Sequence, residues 1–227
     1  MRRRGEMHRY QELVIERVQM YCPNWEYIRY PVEAWIMYTQ DVLDYIDNIK
    51  PVGRAIDVGC GYGTMAAYLA DIGWKDVVAV DIDPLPHIPF LERYGVEFIQ
   101  ADIERDTIHI PEFTFDLVVF TETLEHLGHN PWEAMHKLKW LTSIGGTIIL
   151  STPDIKNNRW KGGGQLQKLN KLKHYTQIQC DSIGDIDTHY YHYSIEEIQA
   201  MMDALGFATI KLEITNEHIY YVGRRRK

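Results

Sequence analysis

The chain has 227 residues, 45% hydrophobic and 25% charged, the profile of an ordinary folded domain rather than a disordered, collagenous or coiled-coil chain. This length supports one full domain with additions. The three cysteines, Cys22, Cys60 and Cys180, show no CxxC spacing, which excludes a disulfide framework and a cysteine-rich zinc site. Net charge is −8, yet eight of the 24 basic residues lie at the two ends (Arg2, Arg3, Arg4, Arg9, Arg224, Arg225, Arg226 and Lys227). Without them, 16 bases face 32 acids, a balance of −16. An acidic body disfavours broad adhesion to nucleic acid, and the basic ends read as solvated tails. No apolar run nears the ~20 residues of a membrane span. Met1–Arg9 lacks the apolar centre of a signal peptide, so a cytoplasmic location is expected; nothing in the sequence sets the oligomeric state.

In chain order, two helical segments come first, about Glu6–Tyr21 and Pro31–Asn48, forming a helical extension over residues 1–50. Val14, Val18, Trp35, Tyr38, Val42 and Tyr45 recur in them at helical spacing and are expected to pack rather than to form a lid. The domain proper is expected over 51–227. There, apolar runs without alternation, Ala55–Val58, Val77–Asp81, Phe98–Ala101, Leu117–Phe120 and Thr147–Ser151, read as strands covered on both faces. Helices fit at Thr64–Ile72 and Pro131–Leu141. Ser194 with Glu197 forms a capping box opening a helix that Gly206 ends. Phe207–Ile214 and Ile219–Val222 then form a hairpin about Thr215-Asn216-Glu217. The expected fold is α/β, doubly wound and Rossmann-like, with a seven-stranded mixed sheet ending in an antiparallel hairpin.

The most informative stretch is Asp57-Val58-Gly59-Cys60-Gly61-Tyr62-Gly63-Thr64. A strand running into spaced glycines and then a helix makes a turn whose bare backbone approaches a ligand. Asp81 closes the next strand 24 positions after Asp57, a spacing that suits an acid holding ribose hydroxyls. Gly61-Tyr62-Gly63-Thr64-Met65-Ala66 also matches the G-x-G-x-x-A fingerprint of dinucleotide binders. Asp57 decides against a dinucleotide, because negative charge at the loop entrance repels a pyrophosphate and attracts an ammonium. A nucleoside carrying an amino acid fits better.

These residues resemble the class I S-adenosylmethionine-dependent methyltransferases over about Arg54 to Gly223. Asp57–Gly63 resembles their first motif, Asp81 the ribose-binding acid, and Gln100-Ala101-Asp102-Ile103 the motif whose acid meets the adenine amino group. The resemblance implies a cofactor set of Asp57, Gly59, Cys60, Gly61, Gly63, Asp81, Ile82, Asp102, Ile103 and Thr121. Asp83-Pro84-Leu85-Pro86 departs from the family, which has a fuller helix there.

Thr121-Glu122-Thr123-Leu124-Glu125-His126 follows the fourth strand. Glu122, Glu125 and His126 stand at i, i+3 and i+4, so a helical turn would put them on one face. Such a trio suits a divalent ion or a histidine general base. The segment resembles the Glu-x-x-Glu-His run of ubiquinone-forming methyltransferases and of small-RNA 2′-O-methyltransferases, in which it is tied to a metal. The RNA group adds a distant histidine, and His189 precedes Ser194 by five residues as that pattern requires, with His192 competing. The metal set implied is Glu122, Glu125, His126 and His189; the catalytic candidates are His126, Glu125 and His189.

Residues 152–193 form an inserted loop, too long to be idle. Lys156, Arg159, Lys161, Lys168, Lys171 and Lys173 share a stretch without an acid, suited to an anionic substrate, and Gly162-Gly163-Gly164 reads as a hinge. The function expected is methyl transfer from S-adenosylmethionine to a hydroxyl of a small metabolite or saccharide. The alternatives are an RNA 2′-O-methyltransferase and a catalytically silent methyltransferase-like binding subunit.

Overall fold

The computed structural model describes residues 8–21, 39–83, 88–156, 164–165 and 190–227. The chain divides into two compact units, Met1–Gln100 and Ala101–Lys227. Its main strands follow the order β3 (Glu97–Gln100), β2 (Lys75–Asp81), β1 (Arg54–Val58), β4 (Phe115–Thr121), β5 (Thr142–Pro153), β9 (His218–Arg225) and β8 (Phe207–Thr215) in a seven-stranded mixed sheet, and β6 (Gly164–Gln165) and β7 (Tyr191–His192) form a separate two-stranded ladder.

The first unit holds α1 (Arg9–Tyr21), α2 (Gln40–Asn48), β1 (Arg54–Val58), α3 (Thr64–Asp71), β2 (Lys75–Asp81), α4 (Ile88–Arg93) and β3 (Glu97–Gln100). Its three strands are parallel, with Asp57 opposite Ala79 and Asp81 opposite Gln100. Ala55, Ile56, Val58 and Val77–Val80 are buried, as expected of strands covered on both faces. The proline-rich departure is followed by a short helix, α4, which the sequence reading does not include. The amino-terminal extension supplies α1, packed against α3, with Leu13 and Val14 buried. Arg9 is not a solvated tail residue: its guanidinium forks onto Asp71, Nε to Oδ2 at 2.8 Å and Nη2 to Oδ1 at 3.0 Å.

The second unit holds β4 (Phe115–Thr121), a 3₁₀ turn (Leu124–His126), α5 (Pro131–Leu141), β5 (Thr142–Pro153), β6 (Gly164–Gln165), β7 (Tyr191–His192), α6 (Ile195–Ala204), β8 (Phe207–Thr215) and β9 (His218–Arg225). β4 and β5 are parallel, while β9 is antiparallel to both β5 and β8. Asn130 caps α5 with Pro131 in its first turn, and the Ser194–Glu197 capping box is formed in both directions.

Two expectations change here. Thr152 and Pro153 extend β5 and pair with Ile219 and His218 of β9, so the insertion starts later than 152. The carboxyl-terminal basics are also not a free tail, because Arg224 and Arg225 belong to β9. Arg225 is buried, donates from Nη1 to the Thr142 carbonyl at 2.7 Å and to that of Lys139, and lies over the Phe113 ring at 4.2 Å. The carbonyls that end α5 attract a cation, which is why the charge turns inward. Arg2–Arg4, Trp35, Tyr38, His189, the Gly162-Gly163 hinge and the lysines from 161 to 173 lie outside the described residues.

Candidate active site

In the first unit the site grows from the β1 end. The ladder runs on past the strand, with Gly59 and Cys60 amides donating to the Val80 carbonyl at 2.8 and 3.0 Å. The turn then needs left-handed backbone: φ is +68° at Gly59, +49° at Gly61 and +73° at Gly63. A Cβ on Gly63 would lie 2.6 Å from Leu91 Cδ2, whereas one on Gly61 would meet nothing within 4 Å. Gly63 is therefore fixed by packing and Gly61 by its backbone angle, with open space above it. Asp81 Oδ2 accepts the Gly61 amide at 2.8 Å and Oδ1 that of Asp83 at 3.0 Å. The Ile82 backbone is a third hydrogen-bond donor to that carboxylate, so of its roughly four lone-pair positions about one remains for a ligand hydroxyl.

Asp57 is buried and accepts a backbone hydrogen bond from Ala66, while its Oδ2 has no hydrogen-bond partner among the described residues. Burial, and then the charge of Asp81, push its carboxyl up to about 7. Such a group requires a cation to be comfortable as an anion. Burial raises the Cys60 thiol well above its ordinary range, so this cysteine is inert rather than nucleophilic. Ile82 is exposed beside the loop, an apolar surface available to a flat ring.

In the second unit Asp102 Oδ1 accepts the Glu104 amide at 2.8 Å and Oδ2 lies 3.5 Å from Arg105, while Ile103 is buried. Glu104 reaches across to the Gly128, His129 and Asn130 amides at 3.1, 2.9 and 2.5 Å. That carboxylate holds the chain between the 3₁₀ turn and α5.

Glu122, Glu125 and His126 do not share a helical face. Glu122 follows Thr121 at the end of β4 with φ +49°, and only Leu124–His126 turn, in the tighter 3₁₀ form. The left-handed residue breaks the helical period before the turn begins. Glu122 Oε1 accepts the Ser151 hydroxyl at 2.6 Å, and Oε2 lies 3.3 Å from His218 Nε2. Glu125 is buried, accepting the Thr152 hydroxyl at 2.9 Å, and its Oε1 lies 3.9 Å from Nε2 of the part-exposed His126.

His218, absent from the sequence reading, is buried with Nδ1 2.9 Å from the Asn216 carbonyl. Burial lowers its basicity, but Glu122 and the carbonyl outweigh that and raise it on balance. The signal available was a histidine directly after a hairpin turn. His192 is buried, and that burial lowers its basicity against the opposing charge of Asp154. Among the described residues, no three His, Cys, Asp or Glu side chains gather as metal ligands, so the implied metal set is not assembled from them.

A family model described as "Methyltransferase domain" matches residues 25–212. The chain belongs to that family. With its glycine loop and sheet order it is a class I S-adenosylmethionine-dependent methyltransferase. An uncharacterized methyltransferase of Mycobacterium tuberculosis is 35% identical over 125 residues, 51% of this chain and 60% of that protein. Phosphoethanolamine N-methyltransferase 3 of Arabidopsis thaliana is 32% identical over 117 residues, 49% of this chain and 23% of its own length. The chain thus spans less than two thirds of the length of these relatives. The solved 1,6-didemethyltoxoflavin-N1-methyltransferase of Burkholderia thailandensis, bound to S-adenosylhomocysteine, shares the fold with a TM-score of 0.64. It is 16% identical, with 100% of this chain and 94% of that one covered. No helix among the described residues of the methyltransferase is long and apolar enough to cross a membrane.

Proposed function

We propose that this methyltransferase moves the methyl group of S-adenosylmethionine to a hydroxyl of a small, anionic metabolite or saccharide. The observation that carries the reading is the buried Asp57 carboxylate, one oxygen without a hydrogen-bond partner among the described residues, in the strand that leads into a glycine loop open above Gly61. When bound, the cofactor supplies a methyl group on a positive sulfur that is already a good leaving group. The residues fit that group. Asp57 answers an ammonium, the remaining lone pair of Asp81 answers a ribose hydroxyl, and Ile82 offers an apolar surface. The resemblance assigns Asp102 and Ile103 to the adenine, and Gly59, Cys60, Gly61, Gly63 and Thr121 to the cofactor's surroundings.

Alignment carries most of such catalysis, so the chain has only to orient the acceptor and take a proton. His126 is the proton acceptor we assign, part-exposed and within 3.9 Å of the buried Glu125 carboxylate that steadies the positive imidazole. Two relatives are named for phosphoethanolamine and for malonyl-[acyl-carrier protein]. Both names contain an anionic group, which accords with the acid-free run from Lys156 to Lys173 in this chain.

A second reading places a divalent ion at Glu122, Glu125, His126 and His189. It is favoured by the 2.8 Å hydrogen bond from the Tyr190 amide to the Glu125 carbonyl, since Tyr190 is next to His189 in sequence.

The deciding experiment follows methyl-labelled cofactor with a panel of small hydroxyl, amine and carboxyl acceptors and an RNA oligonucleotide. We expect label on a small hydroxylated acceptor, and a loss of about 10²–10⁴-fold in His126→Ala with S-adenosylhomocysteine binding kept. Label on RNA alone would select the 2′-hydroxyl alternative. Cofactor binding without turnover on any acceptor would select the silent binding subunit. Loss of activity in chelator, restored by added divalent ion, would select the metal reading.

A further inference from the structure

β5 is apolar from Ile148 to Leu150 and then reads Ser151-Thr152-Pro153, with Asp154 next in the chain. The polar change falls at the carboxyl end of the strand, the edge at which open α/β sheets take their ligands. Successive side chains of a strand leave opposite faces. The Ser151 hydroxyl meets Glu122 at 2.6 Å on one face, and the Thr152 hydroxyl meets Glu125 at 2.9 Å on the other. Asp154 has the parity of Thr152. It therefore continues the Glu125 face, two strand steps or about 7 Å further along.

Backbone pairing fixes Asp154 there. Its amide donates to the Glu217 carbonyl at 2.9 Å, the residue bridges to Tyr193, and the Ile155 amide donates to the Tyr193 carbonyl at 2.9 Å. At the other end of that segment the Tyr190 amide holds the Glu125 carbonyl. Residues 190–193 thus run from the turn that carries Glu125 and His126 to Asp154. The Asp154 side chain is satisfied less well than its backbone. The residue is only 5% exposed, and Oδ1 has no hydrogen-bond partner among the described residues. A buried carboxylate oxygen without a donor costs the fold and gains from a donor that a ligand brings. His192, buried in the same ladder, is lowered in basicity by that burial, so it supplies no fixed countercharge.

A hydroxyl has one donor to satisfy and an ammonium three. Asp154 offers one orphan oxygen, which matches the hydroxyl. We propose that Asp154 receives a second hydroxyl of the acceptor, apart from the one that His126 deprotonates. The acceptor is then polyhydroxylated, a saccharide rather than a simple hydroxy acid. The proposal deepens the reading of a hydroxyl acceptor and rests on it.

Four anionic probes in the methyl-label assay test this. Glucose 6-phosphate and glucuronate carry several hydroxyls, 3-hydroxybutyrate carries one, and phosphoethanolamine carries an amine. A sugar probe should be labelled with a kcat/KM at least about 10-fold above that of 3-hydroxybutyrate. Asp154→Asn, which keeps the shape, should raise the KM for the sugar about 10-fold, with kcat and the Kd for S-adenosylhomocysteine held. An unchanged KM overturns the proposal, and so does 3-hydroxybutyrate serving as well as the sugars. Label on phosphoethanolamine, with a KM that rises in Asp154→Asn, assigns the residue to an ammonium and overturns the hydroxyl. If the variant fails to fold, or loses acceptor and S-adenosylhomocysteine equally, the carboxylate serves the fold and the proposal is again overturned. If the unaltered protein binds S-adenosylhomocysteine and labels none of the four, the hydroxyl-acceptor reading fails and takes this proposal with it. If a hydroxyl is labelled and only the Asp154 comparison fails, that reading stands alone.

Discussion

Asp57 shows how one residue sets stability against function. Its carboxyl titrates near 7 in the folded chain, raised by burial first and by Asp81 second, against an ordinary 3.9 or so in an unfolded one. The folded state therefore binds the proton more tightly. Its contribution to stability is complete below about pH 4 and disappears as pH rises through 7. Asp57→Asn, which removes the charge and keeps the shape, should stabilise the ligand-free protein at pH 8 by about 1–3 kcal/mol, read as a higher melting temperature, while weakening S-adenosylhomocysteine. In the unaltered protein, affinity for that ligand should rise from pH 5.5 to pH 7.5 as the carboxylate forms to meet the ammonium. Calorimetry and thermal melts across that range check both, and an unchanged melting temperature in Asp57→Asn would count against the buried charge. At this scale the sequence was legible where chemistry is local: Asp57, the glycines and Asp81 lie on adjoining strand ends. His218 and Arg225 were not, because their partners, Glu122 and the carbonyls of Lys139 and Thr142, are chosen by strand register over long separations.

Among the elements, the strands stood out in the sequence because burial on both faces leaves continuous apolar runs, and α6 because its capping box is written in Ser194 and Glu197. The turn after β4 departs from helical spacing for a physical reason. Helical spacing predicts a shared face only if every residue is helical, and Glu122 is not. What holds this region is a carboxylate elsewhere. Glu104 satisfies three consecutive amides, Gly128 to Asn130, ahead of α5. Glu104→Ala would strand those donors and should lower stability by about 2–4 kcal/mol, allowing for partial rescue by water. Urea melts measure this. A change below 0.5 kcal/mol would mean that the amides find water at no loss, and that the carboxylate is not the clamp described.

Across the whole molecule, which carries a net charge of −8, Arg9, Arg224 and Arg225 are built into helix and strand rather than into tails. Much of the remaining basic character lies in the run from Lys156 to Lys173. If that run meets an anionic acceptor, Lys168→Gln with Lys171→Gln should raise the KM for acceptor several-fold and leave the Kd for S-adenosylhomocysteine unchanged. Equal effects on both would point to a general loss of structure.

The strand order also constrains how the second unit is made. β9 lies between β5 and β8, yet β8 precedes it in the chain. When β8 leaves the ribosome its place is beside a strand not yet synthesised, and the outward-facing Ile210 and Ile214 offer an open apolar edge meanwhile. Synthesis therefore leaves β5 unfinished until the hairpin closes and docks as one piece. Its long-range pairing comes last and most slowly. His218, which completes the pair with Glu122, arrives with that final step, so this pair forms only once the hairpin has docked.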